Sequence, residues 1–294
     1  MAYRKLVFSD RGLLQISGEE RMSFLQGLVT QDVEKMAGMR AIYSTLLTPQ
    51  GKLIADFFLI PVGDTIILDC HADVAEMLLK KLTFYKLRAK VTIEDISEDW
   101  QSGAIWSDEP PAGAIPLGQI SGLGSGSSGA IAYHDPRFAV LGLRFITPKQ
   151  DLAAALDHYE GAEAATDDYV VHCTRLGVPV SGRDILPEQS FPMDLNLDAL
   201  NGIDYNKGCF VGQEVSSRMK RKGEVRKRLW TATFDGPAPA PETPVKASDT
   251  TIGSISSTTG NHALIHIRLD RLAKANAPFL AGETALSLNK PAYL

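Results

Sequence analysis

Cysteine is scarce in this chain of 294 residues: there are three, Cys70, Cys173 and Cys209, an odd number at wide spacing. That excludes a disulfide framework, and three thiols alone cannot supply the four ligands of a resident iron–sulfur cluster. Long apolar runs are also missing, since no stretch approaches the roughly 20 residues needed to cross a bilayer as a helix. The opening "MAYRKLVFSDRGLLQ" has two basic residues near its start but no apolar block of signal-peptide length. The expectation is a protein of the bacterial cytoplasm, or of an organelle matrix in a eukaryote, without a membrane partner. No strong excess of one charge is present either: 30 basic against 35 acidic residues give a net charge of −5, which disfavours nucleic acid as the main partner. What remains is ordinary for a folded protein, 44% hydrophobic and 22% charged, and long enough for more than one domain.

Hydrophobic periodicity supplies the elements. Residues 17–36 place Ser17 and Glu20 at capping-box spacing ahead of Phe24, Leu25 and Leu28, which predicts a helix. Two apolar runs follow, broken at Pro49 to Gly51 and at Gly63-Asp64, and predict a strand meander. Residues 72–87 return to helical spacing, and "AKVTIEDIS" alternates like a strand. Past Trp100 the pattern weakens, and "GLGSGSSGA" at 122–130 reads as a loop or linker. In "TPKQDLAAALDHYE", 147–160, Thr147 stands at a cap position with proline after it, predicting a helix. From Leu229 onward short β-type segments alternate with Pro, Gly, Ser and Asp, as in a small antiparallel barrel or sandwich. The "DGPAPAPETP" run inside it reads as an interdomain linker or a hairpin loop.

Several motifs dissolve on inspection. GSGSSG at 124–129 has dinucleotide-loop spacing but lacks the strand before it and the helix after it. His262 and His266 have the spacing of a helical zinc pair, but on the strand expected there they stand about 13 Å apart. No metal site is expected.

"NKGCFVGQEVSSRMKRKGEVRKRL", 206–229, is different because its parts reinforce one another. A helix starting near Gly212 puts Gln213 and Glu214 in its first turn, Lys220, Arg221 and Lys222 in its last, and Gly223 at its cap. Cys209 then precedes the helix N-terminus with Lys207 two residues away, an arrangement that favours thiolate if the sulfur is accessible. A small cysteine buried in a tight turn is the alternative. The basic run 218–228 reads as a phosphate-binding patch or as a solvated helix end, and the lack of interleaved aromatics favours the second.

"KGCFVGQE" at 207–214 resembles the signature of the YgfZ-type folate-binding proteins, relatives of the glycine-cleavage T-protein that act in iron–sulfur cluster assembly or repair. "FLQGLVTQDV", "LLTPQGKLIADFFL", "YKLRAKVTIED", "DPRFAVLGLR" and "RLGVPVSGRDILPEQ" follow in that family's order, so the resemblance covers nearly the whole chain. It implies an α+β fold: ring-like T-protein-type folate-binding modules over 1–225, with two subdomains meeting near 100–130, and a C-terminal antiparallel β-barrel over 226–294.

It also implies tetrahydrofolate, or a one-carbon derivative, in a central cavity. Asp56 would face the pterin; Arg175, Lys207 and Arg218 would meet carboxylates, and Gln213 with Glu214 would fix the motif helix. On the same resemblance Cys209, tuned by Lys207, would be the reactive residue or transient cluster ligand, with assembly or client proteins as partners and an indirect effect on tRNA modification. The T-protein has adjacent aspartates where this chain has Ala55-Asp56, and a glutamate that aligns with Arg175. Those departures weigh against the second reading, a folate-dependent aminomethyltransferase-like transferase, and whether the chain catalyses a reaction stays open. A third reading, direct tRNA binding through 218–228, is the least favoured.

Overall fold

The computed structural model describes residues 3–109, 116–122, 129–157, 161–221 and 225–294. Contacts divide the chain into two compact units, one of residues 1–48, 54–166 and 200–211, the other of residues 49–53, 167–199 and 212–294.

In the first unit the elements run β1 (Arg4–Val7), β2 (Arg11–Ser17), α1 (Arg21–Gln26), β3 (Ile42–Leu47), β4 (Leu53–Val62), β5 (Thr65–His71), α2 (Ala72–Lys86), β6 (Thr92–Asp95), β7 (Trp100–Trp106), β8 (Ile120–Gly122), β9 (Ile131–His134), β10 (Leu143–Pro148), α3 (Leu152–Asp157) and β11 (Ala162–Glu163). They form two sheets, ordered β3-β4-β5-β2-β6 and β11-β1-β7-β10-β9-β8. The meander β3 to β5 turns where Pro49–Gly51 and Gly63-Asp64 predict. Helix α2 lays Ala75, Leu78 and Leu82 on a core with Leu14, Ile16, Leu25, Phe57 and Leu68. Burying each large side chain there contributes about 1.5–3 kcal/mol.

Two predicted helices are shorter than expected, for local reasons. Ser17 ends β2 instead of capping, and the Glu20 carboxylate accepts from the Lys90 amide, so α1 begins only at Arg21. A turn follows Gln26, and a separate 3₁₀ turn covers Val33–Met36. Thr147 likewise lies in β10, its hydroxyl donating to the Pro148 carbonyl, and the helix starts after a 3₁₀ turn at Lys149–Asp151. Residues 158–160 of that prediction lie outside the described residues, as do 123–128 of the glycine-serine loop.

The weak region past Trp100 contains β7, a central strand paired on both sides. Gly103 is required there: a Cβ would sit 2.2 Å from the Phe145 ring and 2.3 Å from the Leu6 carbonyl.

The second unit holds α4 (Thr166–Leu176), α5 (Gln213–Arg221) and a closed barrel of β12 (Lys227–Phe234), β13 (Pro244–Ala247), β14 (Thr250–Thr259), β15 (His262–Arg268), β16 (Phe279–Ala281) and β17 (Thr284–Asn289), ordered β12-β15-β14-β13-β16-β17. "DGPAPAPETP" joins β12 to β13, which are not neighbours, so it is a crossing connection within the barrel and neither a linker nor a hairpin loop. Asp184 ties the preceding segment to the barrel, accepting from the Val180 amide at 2.9 Å and the Ser257 hydroxyl at 2.5 Å. Asn196 does the same through both its amide atoms, which bond the backbone of Leu229.

Candidate functional site

The loop that carries Cys209 is built by side chains far away in sequence. Gln26, at the end of α1, donates to Asp32 at 2.8 Å and accepts from the Val33 amide at 2.9 Å, welding the helix to the 3₁₀ turn. Thr30 donates to the Gly202 carbonyl at 2.6 Å, and Gln31 to that of Asn201. Lys207 completes the clamp: its buried ammonium donates to the carbonyls of Val29, at 2.6 Å, and Gln31, at 2.9 Å. Burial pushes that ammonium down to about 8, against the charges of Asp32 and Asp204, which raise it. Burial alone would raise the Asp204 carboxyl as well, but bonds from Lys35 and the amides of Asn206 and Lys207 outweigh it and hold the group below its ordinary value.

Held this way, the loop leaves Cys209 exposed while Cys70 and Cys173 are buried. Gly208 and Cys209 border a cavity of about 440 Å³ whose other walls include Met22, Gln26, Val33 and Glu34. An accessible sulfur beside a recess of that size can be reached by a bulky electrophile or by a metal cluster carried on another protein.

Asp56 lies in the same unit, on β4, in a different setting. Its carboxylate is buried and accepts the Tyr43 hydroxyl at 2.9 Å. Burial, then the Asp56 charge, raises the Tyr43 phenol well above its ordinary value. Nearby Asp69 takes Arg11 at 2.6 Å and Arg144 at 3.0 Å, and Asp135 takes Arg137 at 2.7 Å. The three guanidinium groups lie 4.2 to 6.0 Å from the Phe58 ring. Three buried carboxylates are thus matched by three buried or nearly buried cations. Sequence reasoning missed this network; the signal was a lone charge inside an apolar strand, as in "TIILDCH". Tyr43 also walls a cavity of about 220 Å³ with Gln31, Lys35, Arg40, Pro136 and Asn201. Asp56 does not line that cavity.

The remaining predicted residues belong to the second unit. Helix α5 starts at Gln213, with Glu214 in its first turn and Arg218, Lys220 and Arg221 in its last. Its predicted cap, Gly223, and Lys222 lie outside the described residues. Arg175 is exposed in the last turn of α4. The predicted residues therefore divide: Asp56, Lys207 and Cys209 in one unit, Arg175, Gln213, Glu214 and Arg218 in the other. His262 and His266 lie on strand β15, and burial lowers both imidazoles. In the basic run, Arg228 is paired with Asp198.

The iron–sulfur cluster assembly factor IBA57, mitochondrial, of Homo sapiens is 32% identical over 272 residues, covering 86% of this chain and 74% of the human protein. The chain belongs to the IBA57 family. An IBA57 homolog of Neurospora crassa is 30% identical over 244 residues, and one of Neosartorya fischeri 32% over 267. The chain spans 55% and 59% of the length of those two fungal relatives. Residues 226–294 match the CAF17 C-terminal beta-barrel domain. The crystal structure of glycine cleavage system aminomethyltransferase T from Bartonella henselae superposes over 100% of this chain and 86% of that one, with a TM-score of 0.76 at 15% identity. The expected α+β fold with a closed C-terminal barrel is therefore established.

Proposed function

We propose that this chain is an iron–sulfur cluster assembly factor of the YgfZ type in which Cys209 meets the cluster as it passes to a client protein. The observation that carries this reading is the exposure of one thiol among three, on a loop clamped by Lys207 beside a 440 Å³ recess. The names of the family relatives support it. The cluster is cargo in this scheme, so three cysteines suffice. Lys207 acts on Cys209 as a positioning residue, through the two carbonyls it holds. The relatives compared are mitochondrial proteins; for this chain we place the activity in an organelle matrix if its source is eukaryotic and in the cytoplasm if it is bacterial. An effect on tRNA would follow indirectly, through clients that modify it.

Tetrahydrofolate, or a one-carbon derivative, is the small ligand of the same reading. The fold shared with aminomethyltransferase T supports it. The 220 Å³ cavity, with the Tyr43 ring, the amides of Gln31 and Asn201, and the cations Lys35 and Arg40, fits a flat polar head group and a carboxylate. Asp56 would act on such a ligand through the Tyr43 hydroxyl. Bound folate would supply a one-carbon carrier. The shared fold alone favours the aminomethyltransferase-like alternative, against which Ala55 and Arg175 stand.

Two measurements test the reading. An apo iron–sulfur client in an extract depleted of this protein should regain activity on addition of the wild type and fail to do so with Cys209→Ala; equal rescue by both overturns the role of Cys209. Anaerobic calorimetry with tetrahydrofolate should show micromolar binding retained in Cys209→Ala. Absence of binding in both proteins removes folate and gives priority to tRNA binding, recognised by a steep fall in affinity with salt.

A further inference from the structure

Helix α2 buries its inner face and leaves its C-terminal end bare. Phe84 and Leu87 are 74% and 84% exposed, the two highest values among the exposed large hydrophobic side chains described. Single exposed apolar residues are ordinary. Here two stand together, and one is held at a backbone cost. Leu87 caps the helix at φ 48° and ψ −108°, a region open to glycine and strained for a residue with a Cβ. Glycine is the usual residue just past a helix end, yet the chain places leucine there and points it at solvent.

Charge makes the same end distinctive. Residues 80–90 read KKLTFYKLRAK, with five cations and no acid, in a chain of net charge −5. Lys80 pairs with Glu76 and Lys90 with Glu19. Lys81, Lys86 and Arg88 have no ion pair among the described residues. A strained leucine, an exposed ring and three unpaired cations within eight residues match the anatomy of a protein interface, where aromatic and arginine anchors sit within a polar rim.

We propose that the C-terminal end of α2, from Lys81 to Arg88, is a docking surface for a partner protein whose facing surface is acidic and holds an apolar recess for Phe84 and Leu87. Charge complementarity sets the sign of the partner. A nucleic acid fits less well: Tyr85 is half-buried and meets Phe84 edge-on, with centroids 5.8 Å apart at 66°, which leaves no stacking ladder, and Leu87 offers nothing to a base. A bilayer also fits less well, because two apolar side chains give shallow insertion and the net negative charge of the chain opposes an anionic surface. The surface is separate from the Cys209 cavity and does not depend on the cluster reading.

The test is a photo-crosslinking amino acid in place of Phe84 in the full chain, irradiated in an extract of the organism that makes the protein, with the cross-linked peptide sequenced. The expected result is one dominant protein adduct at an acidic segment, reduced at least about five-fold by Lys86→Glu with Arg88→Glu and by about 0.5 M salt. Changing the partner's identified acids to lysine should restore the adduct with the charge-reversed chain. Adducts with nucleic acid or lipid, a protein adduct indifferent to charge reversal, or no adduct at all overturns the proposal. Leu87→Gly, placed behind the same cross-linker, separates docking from capping. Relief of strain should raise Tm while the adduct falls at least about five-fold; a raised Tm with an unchanged adduct would make Leu87 a cap only.

Discussion

Cys70 stands near the C-terminal end of strand β5 and Cys209 on an irregular loop, both within the first compact unit. Cys70 is buried, its thiol 3.5 Å from the Gly12 carbonyl, and burial pushes its pKa up to about 12. Cys209 is exposed at the rim of a 440 Å³ cavity. The same side chain is inert packing in one place and accessible chemistry in the other. The difference lies in the scaffolding: β5 is buried continuously from Ile66 to Cys70, whereas Cys209 sits on a loop whose backbone a buried lysine clamps.

Counting alkylated peptides tests this difference in accessibility most directly. At pH 7.5 a thiol with a pKa of about 12 is ionised to only a few parts in 10⁵. Iodoacetamide should therefore label exposed Cys209 far faster than buried Cys70, by mass spectrometry of the digest. Comparable rates would show that burial does not protect Cys70. The next largest effect is expected for Lys207→Met, which leaves the carbonyls of Val29 and Gln31 without their donor. Losing both bonds costs about 2–4 kcal/mol, measurable by urea unfolding, and should alter the labelling rate of Cys209 while leaving that of Cys70 unchanged.

The two cysteine environments also differ in how far a sequence reveals them. The meander around Cys70 and helix α2 over it were legible because turn residues and helical periodicity are local signals. Strand β7 was not, since "SGAIW" is buried along its whole length and shows no alternation. The cap signals at Ser17 and Thr147 misled because Ser17 ends β2 and Thr147 is paired within β10, and strand pairing outweighs a cap. Around Cys209, the motif helix from Gln213 was legible. The Lys207 clamp was not: its partners lie 178 and 176 residues away, and no local pattern encodes which carbonyls a lysine reaches. The Asp69 pair with Arg11 and Arg144 was hidden for the same reason.

A smaller effect sharpens the Cys70 side. Its folded pKa, about 12, lies above its ordinary value of 9.0, so the unfolded chain releases the proton first as pH rises. The stabilisation is full below pH 9 and is lost at up to about 1.4 kcal/mol per pH unit above it. Tyr43 and Tyr133, also raised by burial, act in the same direction. Cys70→Ala should thus cost about 1–2 kcal/mol at pH 7 through the cavity it leaves. Its unfolding free energy should then fall less steeply than that of the wild type between pH 9 and 11. Parallel curves would assign the alkaline limb to the tyrosines alone.

The smallest expected change in stability tests the Cys209 side. A Cβ at Gly208 meets no heavy atom within 4 Å, and its φ lies outside the left-handed region, so nothing in the folded chain demands glycine there. Gly208→Ala should shift stability by no more than about 0.5 kcal/mol and change Cys209 labelling by less than about two-fold. If the open space beside the thiol receives a client protein, the same variant should nonetheless lose activity in the client-rescue assay, because the added methyl group stands where the partner approaches. Full rescue would show that the client reaches Cys209 from another side. A loss of stability well beyond 0.5 kcal/mol would mean that the loop depends on more than its Lys207 clamp.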